Sequence, residues 1–355
     1  MKRWRRTSAN RRAFAAAASI GAFAAACGGN VAHAQSSVTL YGVVDAGVQY
    51  QTHADGQHSA VNLQNYGLIP SQFGFKGSED LGGGLKAIFR LEQGFNLNDG
   101  TATIPGYAFF RSAWVGLEGG FGALTAGRVF SVLFDNTLFH DPLYFASYSG
   151  QGLVVPVDVG FVNNALKYKS PDFKGLTVQA LAATGGVAGN SRSGRVLELG
   201  AQFNTGSVSL SGTLHQSHGT ASSTADTSAL QRTIGTLAAR VAIGDATLFA
   251  GTERVTGSLD PQKTVVWGGA RYQFNPAAGL ATGVYHTMSN TPTVGHPTLF
   301  VTSGTYALSK RTVAYVNLAY SLNSAHSSQP VYEYQSIPLN GASQFGAMVG
   351  MFHTF

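Results

Sequence analysis

Gln344-Phe345-Gly346-Ala347-Met348-Val349-Gly350-Met351-Phe352-His353-Thr354-Phe355 closes the chain in strict alternation. One face reads Phe345, Ala347, Val349, Met351, His353, Phe355. A soluble domain gains little from an aromatic residue at its frayed last position. A closed membrane sheet gains both a partner for its first strand and an aromatic anchor at the interface. The segment therefore predicts the final strand of a transmembrane β-barrel, with its aromatic face outward.

The other end of the chain supports export. Residues 1–12 carry Lys2, Arg3, Arg5, Arg6, Arg11 and Arg12 and no acid, residues 13–26 are an alanine-rich apolar run, and Ala32-His33-Ala34 offers a small-residue cleavage point. This is the layout of a secretory signal peptide, and the apolar run is too short for a spanning helix. The predicted division is a signal peptide over 1–34, cut between Ala34 and Gln35, and a barrel over 35–355. Two rival readings of the leader are a twin-arginine motif at Asn10-Arg11-Arg12-Ala13-Phe14 and a lipoprotein box at Ala24-Ala25-Ala26-Cys27. A barrel crosses the inner membrane unfolded, against the first, and the usual leucine before the cysteine is missing, against the second.

Removing the leader rewrites the charge. It holds six of the 23 Lys and Arg and none of the 17 Asp and Glu, so the formal +6 of the whole chain falls to zero. A nucleic-acid partner is not implied. Cys27, the single cysteine, leaves with it, so disulfides do not hold the mature protein.

After Gln35 no apolar run reaches the length of a spanning helix. Period-two alternation recurs instead, as in Val208, Leu210, Gly212 and Leu214 against Ser209, Ser211, Thr213 and His215. Short turns at 78–84, 119–122, 171–175, 205–206, 244–245, 275–279 and 309–311 alternate with longer polar connections such as 52–68, 218–229 and 323–341. Counting segments predicts an all-β fold, an antiparallel transmembrane barrel of about sixteen strands. Closure is what satisfies every backbone N–H and C=O in lipid once helices are excluded.

Charge tests the register. With the apolar face outward, Lys76, Arg90, Glu92, Arg111, Lys167, Glu198, Arg232, Arg240 and Arg271 all fall inside, where a cation avoids the roughly 2–4 kcal/mol cost of the lipid midplane. The interior is thus polar and suits a water-filled lumen. Arg128 shares parity with Leu124 and Ala126 and is the exception: a bulge, snorkelling at the rim and a face toward a neighbouring subunit are the open readings, with a protein contact favoured.

Several strings carry a resemblance. Val38-Thr39-Leu40-Tyr41-Gly42, the run from Phe73-Gly74-Phe75-Lys76-Gly77 to Leu85-Lys86-Ala87, Trp114-Val115-Gly116-Leu117, Tyr168-Lys169-Ser170-Pro171 and Leu308-Ser309-Lys310-Arg311-Thr312 resemble the general porins of β-proteobacteria, the Burkholderia, Bordetella and Neisseria type. The resemblance implies a homotrimer of 16-stranded barrels in the outer membrane, with the third long loop folded into each pore. It also implies partners: outer-membrane lipid and lipopolysaccharide, the barrel-assembly machinery that reads Phe355, and small hydrophilic solutes. The loop falls at residues 131–160, where Phe134, Phe139, Tyr144, Phe145 and Tyr148 are more apolar than a solvated loop needs.

In such pores, loop acids face wall arginines across a transverse field. By the resemblance Arg111 is a wall arginine with Arg90 and Glu92 beside it, and Asp135 and Asp141 are the loop acids. Asp45 and Lys76 complete the predicted lining. Gln72 and Phe161 stand where relatives often carry arginine, so weak charge selectivity is expected. Phe352 and Thr354 stand where relatives often carry basic residues, which bears on the terminal assembly signal. No nucleophile motif or metal spacing points to an enzyme or a cofactor, although an enzyme built on a barrel is the alternative of another class. A solute-specific channel using the loop aromatics is the alternative within the class.

Overall fold

The computed structural model describes residues 37–222, 224–292, 294–332 and 337–355. The predicted leader, with Cys27 and the predicted cleavage point between Ala34 and Gln35, lies outside the described residues. The wall begins with β1 (Ser37–Gln51), β2 (Ala60–Gln64), β3 (Gln72–Gly82), β4 (Leu85–Gly94), β5 (Ser112–Gly119) and β6 (Gly122–Phe130). It continues through β7 (Phe161–Lys169), β8 (Leu176–Ala183), β9 (Val196–Asn204), β10 (Val208–His218), β11 (Gln231–Ile243) and β12 (Ala246–Gly257). It ends with β13 (Lys263–Gln273), β14 (Ala278–Met288), β15 (Thr298–Ala307), β16 (Thr312–Leu322) and β17 (Gln344–Thr354).

All pairings between these strands are antiparallel, and β17 returns to β1 with Val48 opposite Val349, so the sheet closes. β1 pairs with β3 along 37–43 and with β2 along 47–51, so β2 and β3 share one place and the perimeter is sixteen strands. Closure reaches the last residue: Phe355 exchanges backbone hydrogen bonds of 3.0 and 3.1 Å with Gly42. The Phe355 ring lies over Gly42, where a Cβ would stand 2.2 Å from it, so only glycine fits beneath. Val349, Met351, His353 and Phe355 are exposed on the outer face, as their parity predicts.

The apolar surface is turned outward, with Leu214 and Leu237 among its most exposed side chains. The core sits inside, between the wall and residues 131–160. That segment holds three helices, α1 (Val132–Leu138), α2 (Gln151–Val154) and α3 (Val157–Gly160). Leu133, Phe145, Tyr148, Val154, Val155 and Val159 are buried against wall residues such as Ile234, Val265 and Tyr285. The third long loop is therefore folded inward.

One connection differs from the sequence reading. Residues 52–68 are not a plain loop, because Ala60–Gln64 form β2, with Val61 and Leu63 exposed outward and Gln64 buried. Five residues give too little alternation to stand out. Residues 65–71 then leave the wall and turn inward, at a point where Pro70 has no N–H for a ladder.

Candidate pore constriction

The inward loop is built from its first residue. Ser131 caps α1 by accepting from Phe134 N at 2.9 Å, and Glu198 on β9 accepts from Val132 N at 2.6 Å. A carboxylate suits the free N–H groups at a helix start. His215 on β10 holds the other Glu198 oxygen at 2.8 Å. Farther along, Asn136 donates to Thr213 Oγ1 at 2.8 Å, and Trp267 Nε1 donates to His140 O at 3.1 Å.

Asp141 does not face the lumen. It is buried, accepts from Leu143 N at 2.9 Å and Phe145 N at 3.1 Å, and receives the Tyr285 hydroxyl. Burial pushes its carboxyl up to about 6. The residue predicted as a pore acid is thus a loop anchor, because the turn it caps folds it away from water. Asp135 does reach the water-filled side, yet it forms an ion pair of 2.5 Å with Lys167 on β7.

The wall group assembles as its sequence neighbours suggest, with one consequence. Buried Glu92 lies between Arg90, at 2.5 Å, and Arg111, at 2.8 Å, and also accepts from Tyr41 OH at 2.7 Å. Arg111 sits 5.4 Å from the Phe130 ring centre and 5.9 Å from that of Phe161. Two cations therefore share one anion, and Phe161, where an arginine was missing by resemblance, contributes a ring face instead. Lys76 is exposed to the lumen, 5.4 Å from the Tyr41 ring centre. Lys76 and Arg240 have no ion-pair partner among the described residues.

Asp45 points inward but lines nothing. Its carboxylate accepts from Leu68 N at 2.8 Å, Ile69 N at 2.9 Å and Tyr315 OH at 2.6 Å. It thereby holds the inward turn at 65–71, whose Gly67 O accepts from Ser147 N and from Asn317 Nδ2, each at 3.1 Å. This second inward element was not read from the sequence. Its signal, Gly67 and Pro70 breaking a weak alternation, is shared by ordinary turns.

Other contributors emerge only from the fold. Arg232 on β11 pairs with Asp158 at 2.8 Å and with Asp260, joining the returning limb of the loop to the wall. Arg271 lies 4.1 Å from the Tyr144 ring centre beside a 390 Å³ cavity that also touches Leu68, Asp245 and Phe352. Arg128 is held within its own chain. A bulge in β7 at Asn164 (φ 51°) brings Phe161 near, and the guanidinium lies 4.9–5.5 Å from the ring centres of Tyr107, Phe110 and Phe161.

The geometry is a water-accessible passage, narrowed by an inward loop and lined mostly by paired charges. Comparison with known proteins agrees with that architecture. A sequence profile described as Gram-negative porin matches residues 15–326. An outer membrane porin protein of Bordetella pertussis is 33% identical over 178 residues, 45% of each chain. The major outer membrane protein P.IB of Neisseria meningitidis serogroup B is 35% identical over 165 residues, 45% of this chain and 48% of its own. The alignments thus span about half the length of these curated relatives. An anion-selective porin from Comamonas acidovorans superposes with TM-score 0.79 at 26% identity, covering 90% of this chain and all of that one. Salmonella typhi OmpF, at 17% identity and TM-score 0.68 over 90% of this chain and 97% of its own, shares the fold.

Proposed function

The chain belongs to the Gram-negative porin family, and we propose that it forms a general diffusion channel of the outer membrane, passing small hydrophilic solutes and ions with weak charge selectivity. The carrying observation is the sharing of buried Glu92 by Arg90 and Arg111, with Asp135 taken by Lys167. Opposed charges within bonding distance cancel most of their transverse field, leaving one net positive charge on the Arg90–Glu92–Arg111 group and none on Lys167–Asp135. The passage then sorts solutes by size and polarity more than by sign.

The pore-lining set in this reading is Lys76, Arg90, Arg111 and Asp135, with Glu92 balancing the arginines from behind. Asp45 and Asp141 hold inward segments in place and act on the pore through its shape. A homotrimer is part of the proposal, as are contacts with outer-membrane lipid and lipopolysaccharide and assembly through Phe355. Planar-bilayer recording tests it. Conductance steps in groups of three and a reversal potential near zero in a salt gradient are the expected result, and absence of steps would overturn the channel reading.

A second reading is supported by Lys76 and Arg240, which have no ion-pair partner among the described residues. If these dominate the field, the pore prefers anions, and the reversal potential moves strongly to the anion side.

A further inference from the structure

Arg254 stands on the outer face of β12, sharing parity with exposed Leu248, Ala250 and Thr252. A second outward cation was not anticipated, since Arg128 alone broke the charge pattern in the sequence. Arg254 donates to Thr264 Oγ1 at 2.8 Å and forms no ion pair among the described residues.

The register places it at a boundary. Its own row across the wall runs Leu199, Leu214, Gly235, Arg254. One step toward the long loops, the row runs Leu197, Gln216, Thr233, Thr256, polar at all but its first position. One step the other way it contains Ala201, Gly212, Leu237 and Thr252. Arg254 thus sits at the margin of the apolar band, near the depth at which a lipid-facing cation costs little.

A groove of 610 Å³ runs beneath it on the same face. Leu199, Leu214 and Leu237 form its walls, and Gly212 and Gly235 make its depth by lacking side chains. At Gly235 an added Cβ would meet only Leu214, at 3.6 Å, so the fold does not require glycine there.

We propose that this groove binds one acyl chain of a membrane lipid whose phosphate is held by Arg254. The proposal rests on the outward face being the lipid-facing one. A phosphate monoester on an acyl lipid supplies both the apolar chain that fits the groove and the anion that complements the cation at its mouth. Thr264, Thr233 and Gln216 add donors at headgroup level. A second copy of the chain would bring its own apolar band to the groove and leave the guanidinium without an anion.

The test is native mass spectrometry of the detergent-purified protein titrated with phosphatidic acid and, separately, with diacylglycerol of the same chains. Wild type retains phosphatidic acid about tenfold better than diacylglycerol, the factor one charge-assisted hydrogen bond supplies. Arg254→Gln lowers phosphatidic acid to the diacylglycerol level, and Gly235→Leu, which fills the groove, lowers both. Equal retention of the two lipids by wild type, or unchanged retention by Arg254→Gln, overturns the proposal. So does an assembly of copies that Gly235→Leu dissociates, since a neighbouring chain would then be the occupant. Single-channel conductance of each variant, expected to equal wild type, controls for folding. Lipid retention by a protein that gives no conductance steps would overturn the channel reading and leave this one standing.

Discussion

The Tyr315 hydroxyl on β16 donates to Asp45 Oδ1 on β1 at 2.6 Å, reaching across β17 at the seam where the barrel closes. Three glycines make this possible: a Cβ at Gly47, Gly67 or Gly350 would stand 1.8–2.8 Å from the hydroxyl. The same carboxylate holds residues 65–71, so one anion ties the first strand, the next-to-last strand and an inward turn. Tyr315→Phe should lower stability by about 1–3 kcal/mol, because it leaves a buried acceptor without its donor. The urea midpoint of the folded barrel in detergent measures this, and an unchanged midpoint would refute it.

Glu92 masks two arginines. Glu92→Gln should move the bilayer reversal potential toward anions, and Arg111→Ala should move it toward cations. Breaking a buried pair costs about 3–5 kcal/mol, so folding is verified first by heat-modifiable gel mobility. If both folded variants keep the wild-type potential, this cluster does not line the constriction.

Glu198 anchors the start of α1. Glu198→Gln removes a charge-assisted bond and should loosen the loop by about 1–3 kcal/mol. Open-channel current noise should rise while mean conductance changes little. Ser131→Ala, which removes the cap, should do the same by about 0.5–2 kcal/mol. Quiet channels in both variants would place the loop's anchoring elsewhere.

Asp141 couples the loop to pH. Its carboxyl is raised by burial to about 6 when the loop is docked, against about 3.9 for a solvated aspartate. A group raised in the docked state contributes its full stabilisation below about pH 4 and loses it as pH rises through about 6. Asp141→Asn stays neutral, so its advantage over wild type should be absent at pH 4 and present at pH 7.5. Protease cleavage within residues 131–160 reports loop release, and parallel pH profiles for the two proteins would contradict this.

Phe355 completes the β1 seam through its backbone and covers Gly42 with its ring. Phe355→Ala keeps the backbone bonds and loses the ring, so outer-membrane insertion should fall while conductance of the inserted protein is retained. Wild-type amounts of assembled protein would count against the assembly role.

Much of the architecture was written in one-dimensional pattern. Alternation identifies a strand because successive side chains face opposite sides, and the parity of Lys76, Arg90, Glu92 and Lys167 is inward as that rule requires. Phe355 and its segment follow the same rule, down to the outward direction of Val349 and Met351. The inward loop was legible from its aromatic residues, which need a wall to pack against.

What alternation cannot carry is which inward groups meet. Asp135 and Asp141 are alike in sequence, yet one pairs with Lys167 in the passage and the other is buried under Tyr285. Asp45 became a seam anchor because Tyr315, 270 positions away, crosses three glycines to reach it. Arg254 reads as one more polar residue until strand register sets it over a groove floored by Gly212 and Gly235. The sequence by itself determined the closed barrel and the general alternation of its faces, since these follow from local periodicity, and it pointed to the inward loop through aromatic content and resemblance. Only the tertiary structure decided which charges are paired and which remain open to the pore, since that depends on distances between strands and loops far apart in the chain.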